Sequence, residues 1–139
     1  MDALATYQIR NFFKQFSPIT QEDCNRAAAT ISSGATITPT STQGSQSYTV
    51  RASAHANGFI IQFRDPNYAL DVDLLTVARE TYGQLVPIYQ QCDGFLEPLR
   101  VYTINDVSGD ALFLRNSHLH RPENFHLLQQ TVQYFAAQV

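Results

Sequence analysis

Lysine is almost missing from this chain: Lys14 is the only one in 139 residues, and nine basic residues face twelve acidic ones for a net charge of −3. Nucleic-acid binding draws on clustered cations that displace counterions from phosphates, and the scattered arginines form no such cluster. Cysteine is equally scarce. Cys24 and Cys92 are too few and too far apart for a disulfide framework or a metal knuckle, so a reduced, cytoplasmic setting with no metal and no cofactor is expected. No apolar run approaches the ~20 residues that cross a bilayer. The opening MDALATYQIRNFF lacks the basic start and unbroken apolar stretch of a secretory signal. Neither nucleic acid nor membrane is an expected partner.

What is present suits one domain over residues 1–139. Apolar residues make up 44% and charged residues 15%. A chain of this length buries roughly two thirds of its unfolded surface and needs no cross-link to hold a core.

Residues 3–16 place Leu4, Tyr7, Phe12, Phe13 and Phe16 near helical spacing, and Ser17-Pro18 stops the run. Thr20 with Asp23 reads as an N-cap opening a second, alanine-rich helix from Gln21 to about Ser32, before Gly34. The periodicity then changes to two. Ala35–Thr40, Ser47–Ala54 and Phe59–Arg64 read as antiparallel strands, with Ser41–Gln46 a polar loop and Asn57-Gly58 a tight turn. Leu70–Tyr82 returns to helical spacing and stops at Gly83. Strands Val86–Cys92 and Leu99–Ile104 follow, joined through Asp93-Gly94, and then a turn-rich stretch from Asn105 to Asp110. Ala111–Arg115 reads as a further short strand. After the polar Asn116–Arg121, Pro122 suits the first turn of a last helix bearing Phe125, Leu128, Val132 and Phe135 on one face. The fold class is α+β, an antiparallel sheet with packed helices.

This order of elements resembles a kinase-type N-terminal lobe with a five-stranded sheet. QGSQSYTV (Gln43–Val50) resembles the glycine-containing loop of aminoglycoside phosphotransferase and choline kinase-like proteins, particularly fungal ones. FIIQFR (Phe59–Arg64) resembles their third strand, LDVDLLTVARETYGQLVPIY (Leu70–Tyr89) their next helix and fourth strand, and LRVYTINDVSG (Leu99–Gly109) their fifth strand and hinge. The resemblance implies that Arg64 stands where a phosphate-contacting lysine commonly sits and that Asp73 is its acidic partner. It also implies a second lobe carrying a His-x-Asp…Asn loop and a metal-binding Asp, and nothing in these residues matches either. Phosphoryl transfer needs those groups to orient the nucleophile and hold magnesium. Kinase activity by this chain alone is therefore not expected.

Each candidate site has an ordinary counterpart. Arg64 and Asp73 are also what a structural ion pair looks like. Gly44, Ser45 and Ser47 offer hydroxyls and backbone N–H groups to an anion, as any turn does. His118 and His120 flank Leu119 with His126 nearby, but zinc wants a defined third ligand, and solvated histidines or a proton-transfer role fit as well. Tyr48, Tyr89 and Tyr102, with Asn105, are candidates for a pocket or for core filling. Catalytic candidates are thus Arg64, Asp73, Tyr48, His118 and His120; ligand-binding candidates are Gly44, Ser45, Ser47, Tyr89, Tyr102 and Asn105. A lobe without its partner is expected to leave an apolar sheet face uncovered, to be closed by a ligand, a second copy or another protein. Three functions follow. One is a cofactor-independent cyclase or isomerase acting on a small molecule of secondary metabolism. The others are a pseudokinase-like interaction module, and one half of a two-part phosphotransferase.

Overall fold

The structure is a computed structural model that describes residues 1–53, 58–106, 117–118 and 120–138. It is an α+β fold whose antiparallel sheet has the order β1-β2-β3-β5-β4.

Helix α1 (Ala3–Gln15) starts where the Asp2 carboxylate accepts the Ala5 N–H at 2.7 Å. Ala5, Ile9 and Phe12, spaced by four and three residues, make its buried face. Helix α2 (Gln21–Ile31) opens on a reciprocal capping box. The Asp23 N–H donates to Thr20 Oγ1 at 3.1 Å, and the Thr20 N–H donates to Asp23 Oδ2 at 2.9 Å. The Thr20 hydroxyl, then its backbone N–H, hold the Asp23 carboxyl below the ordinary carboxylate range. Small buried residues, Cys24 and Ala28, let α2 approach the sheet closely. Gly34, at φ +86°, takes the turn after α2 in a conformation that side chains resist.

Strands β1 (Thr36–Pro39), β2 (Ser47–Ser53), β3 (Phe59–Arg64), β4 (Tyr89–Cys92) and β5 (Arg100–Asn105) alternate across the sheet. Tyr48, Val50 and Ala52 of β2, Ile61 and Phe63 of β3 and Val101 of β5 point toward α1 and α2 and join Ile9, Phe12, Cys24 and Ala28 in one core. Aromatic rings stitch it together: Phe13 meets Tyr48 edge-on at 5.1 Å, and Tyr48 stacks on Phe63 at 6.3 Å.

Helix α3 (Val72–Tyr82) begins two residues later than its periodicity predicts, because Asp71 caps it by accepting the Leu74 N–H at 2.9 Å. Gly83, at φ +58°, ends it. Strand β4 begins at Tyr89 and not Val86. Pro87 has no N–H for a ladder, and the Val86 carbonyl instead accepts from Arg79 Nη1. Pro122 opens a 3₁₀ turn, Pro122–Asn124, that runs into α4 (Phe125–Ala137). The α4 helix meets α3 where Phe135 lies edge-on to Tyr82 at 5.8 Å. Asn57 of the expected tight turn, the expected strand Ala111–Arg115, and positions 107–110 and 116 of the turn-rich and polar stretches lie outside the described residues.

Candidate functional site

The alternation that sends Tyr48, Phe63 and Val101 into the core leaves Ser47, Thr49, Gln62, Arg64, Arg100 and Tyr102 on the opposite sheet face. Strand register then sets these side chains in rows. Ser47 lies opposite Arg64, and Arg64 opposite Arg100, so one row runs Ser47–Arg64–Arg100 across three strands. The next row is Thr49–Gln62–Tyr102–Gln91.

Neutral groups hold Arg64 in place. Its Nε donates to the Tyr68 carbonyl at 2.8 Å and its Nη1 to Gln62 Oε1 at 2.9 Å. Gln62 Nε2 in turn donates to Ser47 Oγ at 3.3 Å and Thr49 Oγ1 at 3.2 Å. Arg100 is exposed, and neither it nor Arg64 enters an ion pair among the described residues. Like charges directly opposite on neighbouring strands cost roughly 0.2–1 kcal/mol. The strands supply no carboxylate to this face to offset that cost.

The loop between β1 and β2 borders the same row. A side chain built on Gly44 would come within 3.6 Å of Ser47 Oγ, so the loop passes directly beside Ser47. Gln43, nearly buried, pins the loop: Nε2 donates to the Thr40 carbonyl at 3.0 Å and the Thr49 carbonyl at 2.8 Å, while Oε1 accepts the Thr49 N–H at 3.0 Å. The loop's far end is tied down by the Asp65 N–H, which donates to the Gln46 carbonyl at 3.0 Å. Asp65 is buried, and its carboxylate accepts from Gln15 Nε2 at 2.9 Å and the Asn67 N–H at 2.8 Å.

The structure therefore brings Gly44, Ser47 and Arg64 together, with the exposed Ser45 in the same loop. It places the other candidates elsewhere. Asp73 is exposed in the first turn of α3 and belongs to none of the ion pairs among the described residues, so Arg64 and Asp73 do not pair. Tyr48 is on the core face; its hydroxyl donates to Asn25 Oδ1 at 2.8 Å and accepts from Gln21 Nε2 at 3.1 Å. Burial pushes the Tyr48 phenol up, against the hydrogen bond donated by Gln21, which favours its ionised form. Tyr102 shares the face of Arg64, but its ring is buried and its hydroxyl accepts the Leu70 N–H at 3.1 Å. Tyr89 lines a cleft of about 260 Å³ between α3 and β4. Asn105 lines a separate cleft of about 490 Å³ with Ile31, Phe59, Ile88 and Cys92, and its carboxamide oxygen takes the Ile88 N–H. His118 and His120 are exposed before α4, and the His118 carbonyl accepts from Asn124 Nδ2 at 2.7 Å. No three His, Cys, Asp or Glu side chains gather among the described residues.

The sheet face away from α1 and α2 is thus largely polar where an apolar one was expected. Exposed apolar side chains sit instead on α3, at Leu74 and Val77, and on α4, at Phe125, Val132, Tyr134 and Phe135. No helix among the described residues is long and apolar enough to cross a membrane. Sequence reasoning missed Gln43, Gln62, Asp65 and Arg100. Compared with protein-family models, curated proteins and solved structures, the chain matches none of them.

Proposed function

We propose that this chain is a small-molecule-binding lobe that receives an anionic group, a carboxylate or a phosphate ester, on the Ser47–Arg64–Arg100 row. It does not transfer phosphoryl groups by itself. The observation that carries the reading is the pair of opposed arginines with no carboxylate partner among the described residues. An anion between them replaces one repulsion with two charge-assisted contacts, and the planar guanidinium fork suits the oxygens of both groups. Ser47 and the loop beside Gly44 add hydroxyl and backbone donors. With no carboxylate from the strands on this face, the role supported is binding; a cyclisation or isomerisation would need an acid or base from outside it.

The test is calorimetry at low salt with inorganic phosphate, pyrophosphate and citrate. Binding in the range of ~0.1–1 mM is expected, weakening as salt screens an exposed site. Arg64→Gln and Arg100→Gln should each reduce affinity by about five-fold or more, and Arg26→Gln, an α2 surface change, should leave it intact. Equal affinity in all four proteins, or no binding at ~20 mM anion, would refute the proposal.

A second reading, the interaction module, is favoured by α4. Its thirteen residues, FHLLQQTVQYFAA, carry no Asp, Glu, Lys or Arg, and large apolar side chains spread around much of its circumference. A helix of that kind is usually covered on more than one side. Light scattering checks this reading: a dimer that Val132→Asp converts to monomer supports it, and a monomer with wild-type solubility counts against it.

A further inference from the structure

A different groove carries an inference independent of the arginine row. Between α1 and the connection to α2 lies an open space of about 680 Å³, bordered by Thr6, Ile9, Arg10, Phe13, Pro18 and Ile19 among others. That volume falls within the range of ligand pockets, which combine mostly apolar walls with a few placed polar groups. The apolar wall is Ile9, Phe13, Pro18 and Ile19. Phe13 is held in position by its edge contact with Tyr48 at 5.1 Å. The polar groups at the α2 end are already committed: Thr20 to the capping box, and the Gln21 amide to the Tyr48 hydroxyl at 3.1 Å.

Charge is the uncommitted part. Helix α1, ALATYQIRNFFKQ, contains Arg10 and Lys14 and no acidic residue. The two cations stand four residues apart, a spacing that sets like charges beside each other on one helix face. Neither enters an ion pair among the described residues, in a protein whose net charge is −3. Of the two, Arg10 borders the groove, which therefore joins an apolar wall to one cation that has no ion-pair partner among the described residues.

We propose that this groove binds an apolar carboxylic acid, its aryl or alkyl body against Ile9, Phe13, Pro18 and Ile19 and its carboxylate on Arg10. The experiment compares 4-phenylbutyrate with its neutral counterpart 4-phenylbutan-1-ol by calorimetry, with amide chemical-shift mapping to locate the contact. The acid should bind and shift residues 6–21, and the alcohol should bind about ten-fold more weakly. Arg10→Gln should bring the acid down to the level of the alcohol. Thr6→Trp, an exposed position on the groove wall, should block both ligands. Arg64→Gln should change neither, which separates this site from the sheet-face row. The proposal is overturned if acid and alcohol bind equally, if Arg10→Gln leaves the acid's affinity unchanged, if the shifts fall outside residues 6–21, or if no shift occurs.

Discussion

Gln43 offers the most discriminating single perturbation, because its side chain acts as a piece of β-strand. Strand β1 ends at Pro39, opposite Val50, so the ladder has one further N–H and C=O pair on β2 to satisfy, at Thr49. The Thr40 N–H takes the Thr49 carbonyl at 3.1 Å. The Gln43 carboxamide supplies the rest, accepting the Thr49 N–H at 3.0 Å and donating to the Thr49 carbonyl at 2.8 Å, as a peptide group would. Gln43→Ala leaves the Thr49 N–H without a protein partner. A stranded donor costs about 1–3 kcal/mol when buried, and Thr49 is half-buried, so a loss of about 2 kcal/mol is expected. For a domain of this size that lowers Tm by roughly 8 °C. Gln43→Glu keeps the acceptor but turns a carboxylate toward the Thr40 and Thr49 carbonyls, costing about 3 kcal/mol at neutral pH.

The two variants separate by pH. Repulsion from the carbonyls raises the folded-state pKa of a glutamate at position 43 above its unfolded value of ~4.3. A raised pKa means that the deficit is absent below the unfolded value and grows as pH climbs through the folded one. The Gln43→Glu deficit should therefore shrink on acidification relative to that of Gln43→Ala. Urea unfolding between about pH 3.5 and 7.5, with hydrogen exchange at the Thr49 amide, measures both effects. If Gln43→Ala costs less than ~0.5 kcal/mol, or Gln43→Glu matches wild type at neutral pH, the surrogate-strand account is wrong.

Other perturbations probe the core and the caps. Burial, reinforced by Asp23, pushes the Cys24 thiol up to about 12, and burial also raises Cys92 despite hydrogen bonding with Thr103. A thiol reagent at pH 8 should label Cys92 slowly and Cys24 only after denaturation; fast labelling of both would contradict the packing of α2 on the sheet. Tyr48→Phe removes a hydroxyl bonded to Gln21 and Asn25 and should cost about 1 kcal/mol in chemical denaturation while leaving anion binding on the opposite face unchanged. Thr20→Ala should cost about 1 kcal/mol through the lost cap. It should also reduce the stabilisation that Asp23 gives above its unfolded pKa, which in wild type is lost as pH falls through its lowered folded value, while the backbone N–H of residue 20 and Arg26 retain part of it.

Much of the fold was legible because its signals are local. The caps at Thr20–Asp23 and Gly83, and the alternation of Tyr48, Val50 and Ala52, need only nearby residues to be read. Boundaries slipped where a distant partner intervened, as when Arg79 captured the Val86 carbonyl and β4 lost its first residues. The site was less legible for the same reason. Arg100 follows Leu99 in a run that reads as an ordinary strand, and its meeting with Arg64 exists only through β3–β5 pairing across 36 positions. Gln43 reads as part of a polar loop, since nothing in STQGSQ (Ser41–Gln46) marks a side chain that completes a ladder. Tyr48 and Tyr102 suit either a pocket or the core by sequence; in the structure both rings are buried and each hydroxyl is claimed by a hydrogen bond inside the fold.

Why the opposed arginines persist is a question of magnitudes. The register that aligns Arg64 with Arg100 also aligns Tyr48 with Phe63 and Phe63 with Val101 on the other face. Burying each of those side chains contributes about 1.5–3 kcal/mol, against a repulsion of roughly 0.2–1 kcal/mol between the arginines. Core packing therefore wins easily, and the register cannot slip to relieve the charges without turning apolar side chains to solvent. That explains why the fold tolerates the pair but not why both positions are arginine. Arg100 is exposed, and packing asks nothing of its charge. A glutamate there would turn the repulsion into an attraction with no change to the core. Arg100→Glu should accordingly raise stability by up to about 1 kcal/mol while abolishing anion binding, a trade-off that a purely structural role for the row does not predict.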